Sequence, residues 1–195
     1  MDNGRTTASE SPELAAFAGD LCNLADERLG ARVVAVSDDF FADAQRMLSP
    51  RLPVFIDAKY DDHGKWMDGW ESRRKRGAGN DWAVIQLGRA GIALKFKLGH
   101  AGTLARLEID TAHFKGNYPH QCSVQAAYTP NAAPASLASR SIYWQTLLAP
   151  TDMSADVIES FSKLTELGVI SHLRLNMHPD GGVSRFRAFG LPGDH

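Results

Sequence analysis

The sequence predicts an all-β protein, a β-sandwich or jelly roll with a short helix leading into it. Two patterns carry that expectation. Seven short runs alternate with period two or concentrate β-branched residues, and glycine or proline closes them off. A helical repeat is confined to the stretch before Gly30 and to the segment from Met153 to Leu167.

Taken in order, residues 1–11 are small, polar and acidic and are expected to be disordered, leaving 12–195 as a single domain. Ser11-Pro12-Glu13 offers an N-cap followed by proline at the first helical position. Leu14, Phe17, Ala18, Leu21, Leu24 and Ala25 then recur at helical spacing as far as Gly30. Strands are expected at Arg32–Val36, Trp82–Leu87, Leu104–Ile109, Ser123–Tyr128, Ile142–Leu148, His172–Met177 and Ser184–Phe189. Val157, Ile158, Phe161 and Leu164 predict a second short helix within Met153–Leu167. Thr129–Ser139, rich in alanine, proline and asparagine, reads as an exposed loop. Pro179-Asp180-Gly181-Gly182 reads as the turn of a closing hairpin.

At 195 residues and 44% hydrophobic, the chain can bury a sizeable core. A formal charge of -2 argues against a nucleic-acid binder that relies on broad phosphate neutralisation. The start lacks the basic and apolar regions of a secretory signal, and no run approaches the roughly 20 apolar residues of a membrane span. Cys22 and Cys122 stand far apart with no partner at metal or redox spacing, which fits the cytoplasm.

Chemistry concentrates in a few polar clusters. Gly64–Arg76 holds two tryptophans, two carboxylates and five cationic side chains in thirteen residues, a composition suited to an anion-binding loop. A solvated charged loop pinned by tryptophan is the plainer reading. Against it, the glycine in Asp68-Gly69-Trp70 suggests close backbone approach. Asp110-Thr111-Ala112-His113-Phe114-Lys115-Gly116-Asn117 places His113 at or just past a strand end, with Asp110 near enough in sequence to set its tautomer. A structural histidine at a strand terminus is the alternative. Ser37–Phe41 and Asn176–Gly182 form two further clusters. No serine sits in a nucleophile elbow, and the seven histidines include no pair at i, i+4. A metal site would need three residues from separate strand ends, and no cofactor is expected.

Asp38-Asp39-Phe40-Phe41, Gly64–Arg76, Asp81–Gly88, Ile109–Pro119 and Arg174–Gly190 together closely resemble the allantoicase family, over about residues 20 to 190. The resemblance implies a jelly-roll repeat similar to galactose-binding-like domains. It also implies hydrolysis of allantoate to ureidoglycolate and urea in purine breakdown. Members usually carry two such repeats, whereas this chain has room for one. Lys59–Arg76 looks like the first repeat, and Leu98–Pro119 with Tyr143–Gly190 looks like the second. A short echo of Leu87–Gly91 in Leu98–Gly102 lies between them, as if two repeats had been joined.

Allantoate carries one carboxylate and two ureido groups, so its site needs a cationic clamp, polar partners and a proton shuttle. Lys65, Arg73 and Arg74 are assigned to the carboxylate, and Glu71 and Asn117 to the ureido groups. His113 with Asp110 is the expected acid/base pair, Glu71 being the further catalytic candidate, while Asp180 and Arg185 would complete the rim. The expected partners are this small molecule and further copies of the chain, with no nucleic acid and no membrane. A non-catalytic small-ligand- or carbohydrate-binding sandwich is the alternative. The two differ in whether acid/base groups converge with the cations.

Overall fold

The computed structural model describes residues 21–88, 104–139 and 144–191. Two antiparallel sheets face each other. One orders β1 (Cys22–Asn23), β13 (Arg185–Gly190), β7 (Leu104–Asp110) and β10 (Ile158–Phe161). The other orders β2 (Arg32–Val36), β6 (Asp81–Gln86), β11 (His172–His178), β8 (Gln121–Ala127) and β9 (Gln145–Asp152). Two small ladders, β3 (Tyr60–Asp61) with β4 (Gly64–Lys65) and β5 (Trp70–Glu71) with β12 (Gly182–Val183), lie outside both sheets.

Alternation decides which face is buried. Ala83 and Ile85 on β6, Leu173 and Leu175 on β11, and Val124 and Ala126 on β8 meet Leu107, Ile109, Phe186 and Ala188 from the opposite sheet in one apolar cluster. Between them on β11, His172, Arg174, Asn176 and His178 take the other face, so that strand is readable from its sequence. A 3-10 turn over Ala44–Leu48, capped by the Asp43 carboxylate on Gln45 N, adds Met47 and Leu48 to the core.

The all-β expectation holds, and every strand run expected within the described residues is a strand to within a few residues. Residues 1–20, with the expected disorder and most of the first helix, lie outside the described residues, as do Ile142 and much of the echo. The part of that helix which is described is not helical. Cys22–Asn23 pairs with Gly190 and Phe189, and a 3-10 turn follows at Glu27–Leu29 between the Asp26 cap and the left-handed Gly30. Leu24 and Ala25 are buried, so the apolar spacing recorded burial and not periodicity.

Two further expectations are corrected. Within Met153–Leu167 the chain forms β10, paired with β7 from Ile158 opposite Asp110 to Phe161 opposite Leu107. A run this short cannot distinguish helix from strand by spacing, and the edge groups of β7 satisfy its backbone. Pro179–Gly182 does not close a hairpin either, because β11 and β13 belong to different sheets. The segment crosses the sandwich and pairs Gly182 with Glu71 on the way. Within Thr129–Ser139 a short helix, α1 (Pro134–Ala138), buries Leu137.

Arg185 fixes the layout at one end. It opens β13 yet is 1% exposed. Its guanidinium donates to the carbonyls of Arg51 at 2.7 Å and Asp68 at 3.0 Å and to the Asp68 carboxylate at 2.7 Å. That binds the excursion between Ala44–Leu48 and β5 to the four-stranded sheet. Gly69 lies in the same knot, where an added Cβ would sit 2.5 Å from the Val183 carbonyl oxygen, so the close approach suggested by Asp68-Gly69-Trp70 is present.

Two outcomes follow for stability. Arg185→Ala strands a carboxylate and several carbonyls and should cost about 3–5 kcal/mol in urea unfolding. Gly69→Ala should cost about 1–3 kcal/mol, because backbone must shift to admit one methyl. Unfolding midpoints within error of the parent would contradict either account.

Candidate active site

One cavity of about 430 Å³ opens at the end of the sandwich held by Arg185. Glu71, Lys65, His113 and Asn117 line it, together with His63 and Lys115. Phe41, Phe55 and Met67 form its apolar walls.

Each polar group is placed by local structure. Trp70, fully buried, donates its indole N–H to the Asp38 carbonyl at 2.8 Å and anchors β5. Its neighbour Glu71 is bridged to Ala42 on one side and paired with Gly182 on the other. Asn117 donates its amide to the Glu71 carboxylate. Burial pushes the Glu71 carboxyl up, with the Asn117 amide working against it. Lys65 comes from β4, where its ammonium meets Asp57 at 2.9 Å and lies 4.4 Å from the Phe55 ring centre. His63 occupies the turn before β4, its N–H accepted by Asp61 at 3.0 Å, and its ring packs on Phe40 at 4.3 Å.

His113 follows β7 in a left-handed conformation, φ 70°. Thr111 donates its hydroxyl to the Ser154 carbonyl at 2.6 Å, which ties the strand end to the segment before β10. The His113 N–H is accepted by Asp156 at 2.7 Å. Its ring stacks on Phe55 at 5.6 Å, and Nε2 lies 3.3 Å from the Pro53 carbonyl oxygen. Lys115 contacts the same Asp156 at 3.7 Å.

Four residues named from sequence, Lys65, Glu71, His113 and Asn117, therefore converge, and the others do not line the cavity. Asp110 is 1% exposed, and its carboxylate accepts the Ala112 N–H at 2.8 Å. Burial pushes this carboxyl up, against the Ala112 amide and the charges of Arg187, Arg185 and His113. The imidazole of His113 contacts Pro53 and Phe55, and the Asp110 carboxylate makes no hydrogen bond to it among the contacts of the described residues. Arg73 pairs with Asp38 at 2.7 Å and lies 4.9 Å from the Phe40 ring centre, and Arg74 is exposed. Asp180 accepts the Lys75 N–H at 2.7 Å. Arg185 is interior and not at a rim.

Sequence reasoning missed His63, Lys115 and Phe55 as lining groups. Lys115 lies inside the Asp110–Asn117 cluster and His63 one residue before Gly64, so both were within reach of the sequence clusters. Among the described residues no three His, Cys, Asp or Glu side chains come together as a metal site. Burial pushes both thiols up, so neither Cys22 nor Cys122 is a ready nucleophile.

The comparisons with known proteins agree with this framework. A sequence model of the allantoicase repeat matches residues 22–97 and 93–193. The protein named probable allantoicase from Acinetobacter baumannii strain ACICU is 45% identical over 168 residues, covering 86% of this chain and 45% of its own length. Probable allantoicase 1 from Burkholderia mallei is 41% identical over 181 residues, covering 93% and 49%. The chain thus spans about half the length of the curated relatives it matches. The crystal structure of Saccharomyces cerevisiae allantoicase superposes with a TM-score of 0.64 at 28% identity, over 88% of this chain and 43% of that one. A second allantoicase structure gives 0.71 at 27%, over 93% and 53%. An F5/8 type C domain from Bacteroides fragilis, at 0.51 and 13% over 89% and 99%, shares the fold alone. By the family match and by these relatives, the chain belongs to the allantoicase family.

Proposed function

We propose that this chain hydrolyses allantoate to ureidoglycolate and urea, and that the cavity lined by His113 and Glu71 is where it does so. The observation that carries this reading is the convergence of two proton-transfer groups with two lysines in one pocket. A module that only binds a ligand has no need of a half-buried carboxylate and an imidazole lining one cavity.

The chemistry asks for three things. The substrate carboxylate meets Lys65, as expected from sequence, and Lys115 in place of Arg73 and Arg74. Asn117 holds Glu71 and presents its carbonyl oxygen to ureido N–H groups. Cleavage breaks the bond from the central carbon to one ureido nitrogen and forms a C–O bond from water. The leaving nitrogen gains a proton, and the water loses one. Glu71, whose burial favours the protonated form, is the donor, and His113 is the acceptor. We read 12–195 as one repeat-like unit that needs no cofactor, works in the cytoplasm and self-associates. Exposed Leu52, Val54, Phe55, Ile56 and Tyr60, of which Phe55 lines the cavity, favour self-association. No helix among the described residues is long and apolar enough to cross a membrane.

Urea release from allantoate by the purified chain is the direct test, and none above background rejects the reading. His113→Ala should lower turnover by about 10²- to 10⁴-fold, the range for general acid/base groups, with little change in melting. Lys65→Met should raise KM more than Lys115→Met, because the Lys65 side chain is 35% exposed and that of Lys115 77%, so water screens the second more.

Glu71 links activity to pH. Its folded value lies above the unfolded one of about 4.3. Its contribution to stability is therefore intact below about pH 4.3 and is lost as pH rises through the folded value. Glu71→Gln should melt no lower than the parent at neutral pH while losing turnover. A parent-like rate would remove Glu71 from the mechanism. For self-association, solution mass at micromolar concentration should exceed that of the single chain, and a fully active monomer would show that one unit suffices.

A further inference from the structure

The reading of this cavity as an active site leaves open which nitrogen of His113 exchanges the proton, and the surroundings of the ring answer that. Nε2 lies 3.3 Å from the Pro53 carbonyl oxygen. A carbonyl oxygen only accepts, so the contact is a hydrogen bond when Nε2 carries the hydrogen. Phe55, two residues on, stacks on the same ring at 5.6 Å with 29° between planes. The backbone beneath the ring is fixed as well. His113 is left-handed at φ 70°, a conformation that side chains rarely hold without support, and its N–H is accepted by Asp156 at 2.7 Å. The Pro53–Phe55 segment is itself held, since Val54 N–H donates to Asp68 at 2.9 Å and Asp68 is gripped by Arg185.

We propose that Pro53 and Phe55 are positioning residues that lock His113 as the Nε2–H tautomer, so that Nδ1 is the atom that takes the proton during hydrolysis. The Pro53 carbonyl does for this imidazole what a carboxylate does in other acid/base sites, while Asp110 is occupied with its own backbone. Resting on the assignment of the cavity, the proposal adds an atom and a pair of residues to it.

The experiment is a long-range proton–nitrogen NMR correlation on the full chain labelled with ¹⁵N-histidine, at alkaline pH where imidazoles are neutral. The His113 signals are assigned by their disappearance in His113→Gln. The expected result is a protonated, pyrrole-type Nε2 and a bare, pyridine-type Nδ1. Phe55→Ala, at a position 46% exposed, should leave melting near that of the parent. It should also shift the His113 signals toward the average of the two tautomers and lower kcat more than it raises KM. A parent spectrum showing Nδ1–H or averaged tautomers overturns the proposal, as does a Phe55→Ala spectrum identical to the parent's. The two readings fail separately. A fixed Nε2–H in a chain that releases no urea overturns the allantoate assignment and keeps the ring's orientation, whereas turnover with averaged tautomers does the reverse.

Discussion

A single buried guanidinium organises the functional end of this molecule. Arg185 leaves the four-stranded sheet and gathers carbonyls and a carboxylate from an excursion that carries no strand of either main sheet. That excursion brings Phe55, His63, Lys65 and Met67 to the cavity. Without a charge-assisted anchor, a segment so exposed would have little apolar burial to hold it, and its conformational entropy would dominate. The residue read from sequence as part of a binding rim is thus the one that keeps the rim in place.

The strands were legible because the sandwich buries one face of each, and burial on one face writes period two into the chain. His172–His178 shows this directly, with leucine and methionine inward and polar residues between. The helical signals failed for a related reason. Apolar residues at Leu24 and Ala25 and at Val157 through Leu164 answer to neighbours distant in sequence, and no local pattern records that β7 or β13 will be there to pair with them. Likewise a proline-glycine turn between two alternating runs is consistent with a hairpin or with a crossing between sheets, and the sequence does not contain the distinction.

At the site, the clusters were legible and their internal order was not. The run of five cations in thirteen residues brings Lys65 to the cavity, whereas Arg73 and Lys75 pair with Asp38 and Asp81. Lys65 and Lys115 line the cavity, each with a surface carboxylate, Asp57 or Asp156, as its present partner. Lysine is a mobile point charge where arginine is a rigid fork, so the cations that line the cavity differ in kind from those of the arginine run. His113, expected at a strand end as an acid or base, lines the cavity, while its neighbours come from Pro53 and Phe55, a segment whose apolar run carries no chemical signature.

The short ladder between Trp70–Glu71 and Gly182–Val183 bears on how the cavity comes into being. Glu71 is held by Ala42 from before it and by Gly182 from near the end of the described chain. A nascent chain emerging from the ribosome therefore carries Glu71 long before it carries the strand that seats it. A chain interrupted before Gly182 would hold every residue that lines the pocket yet lack the strand that pairs with Glu71.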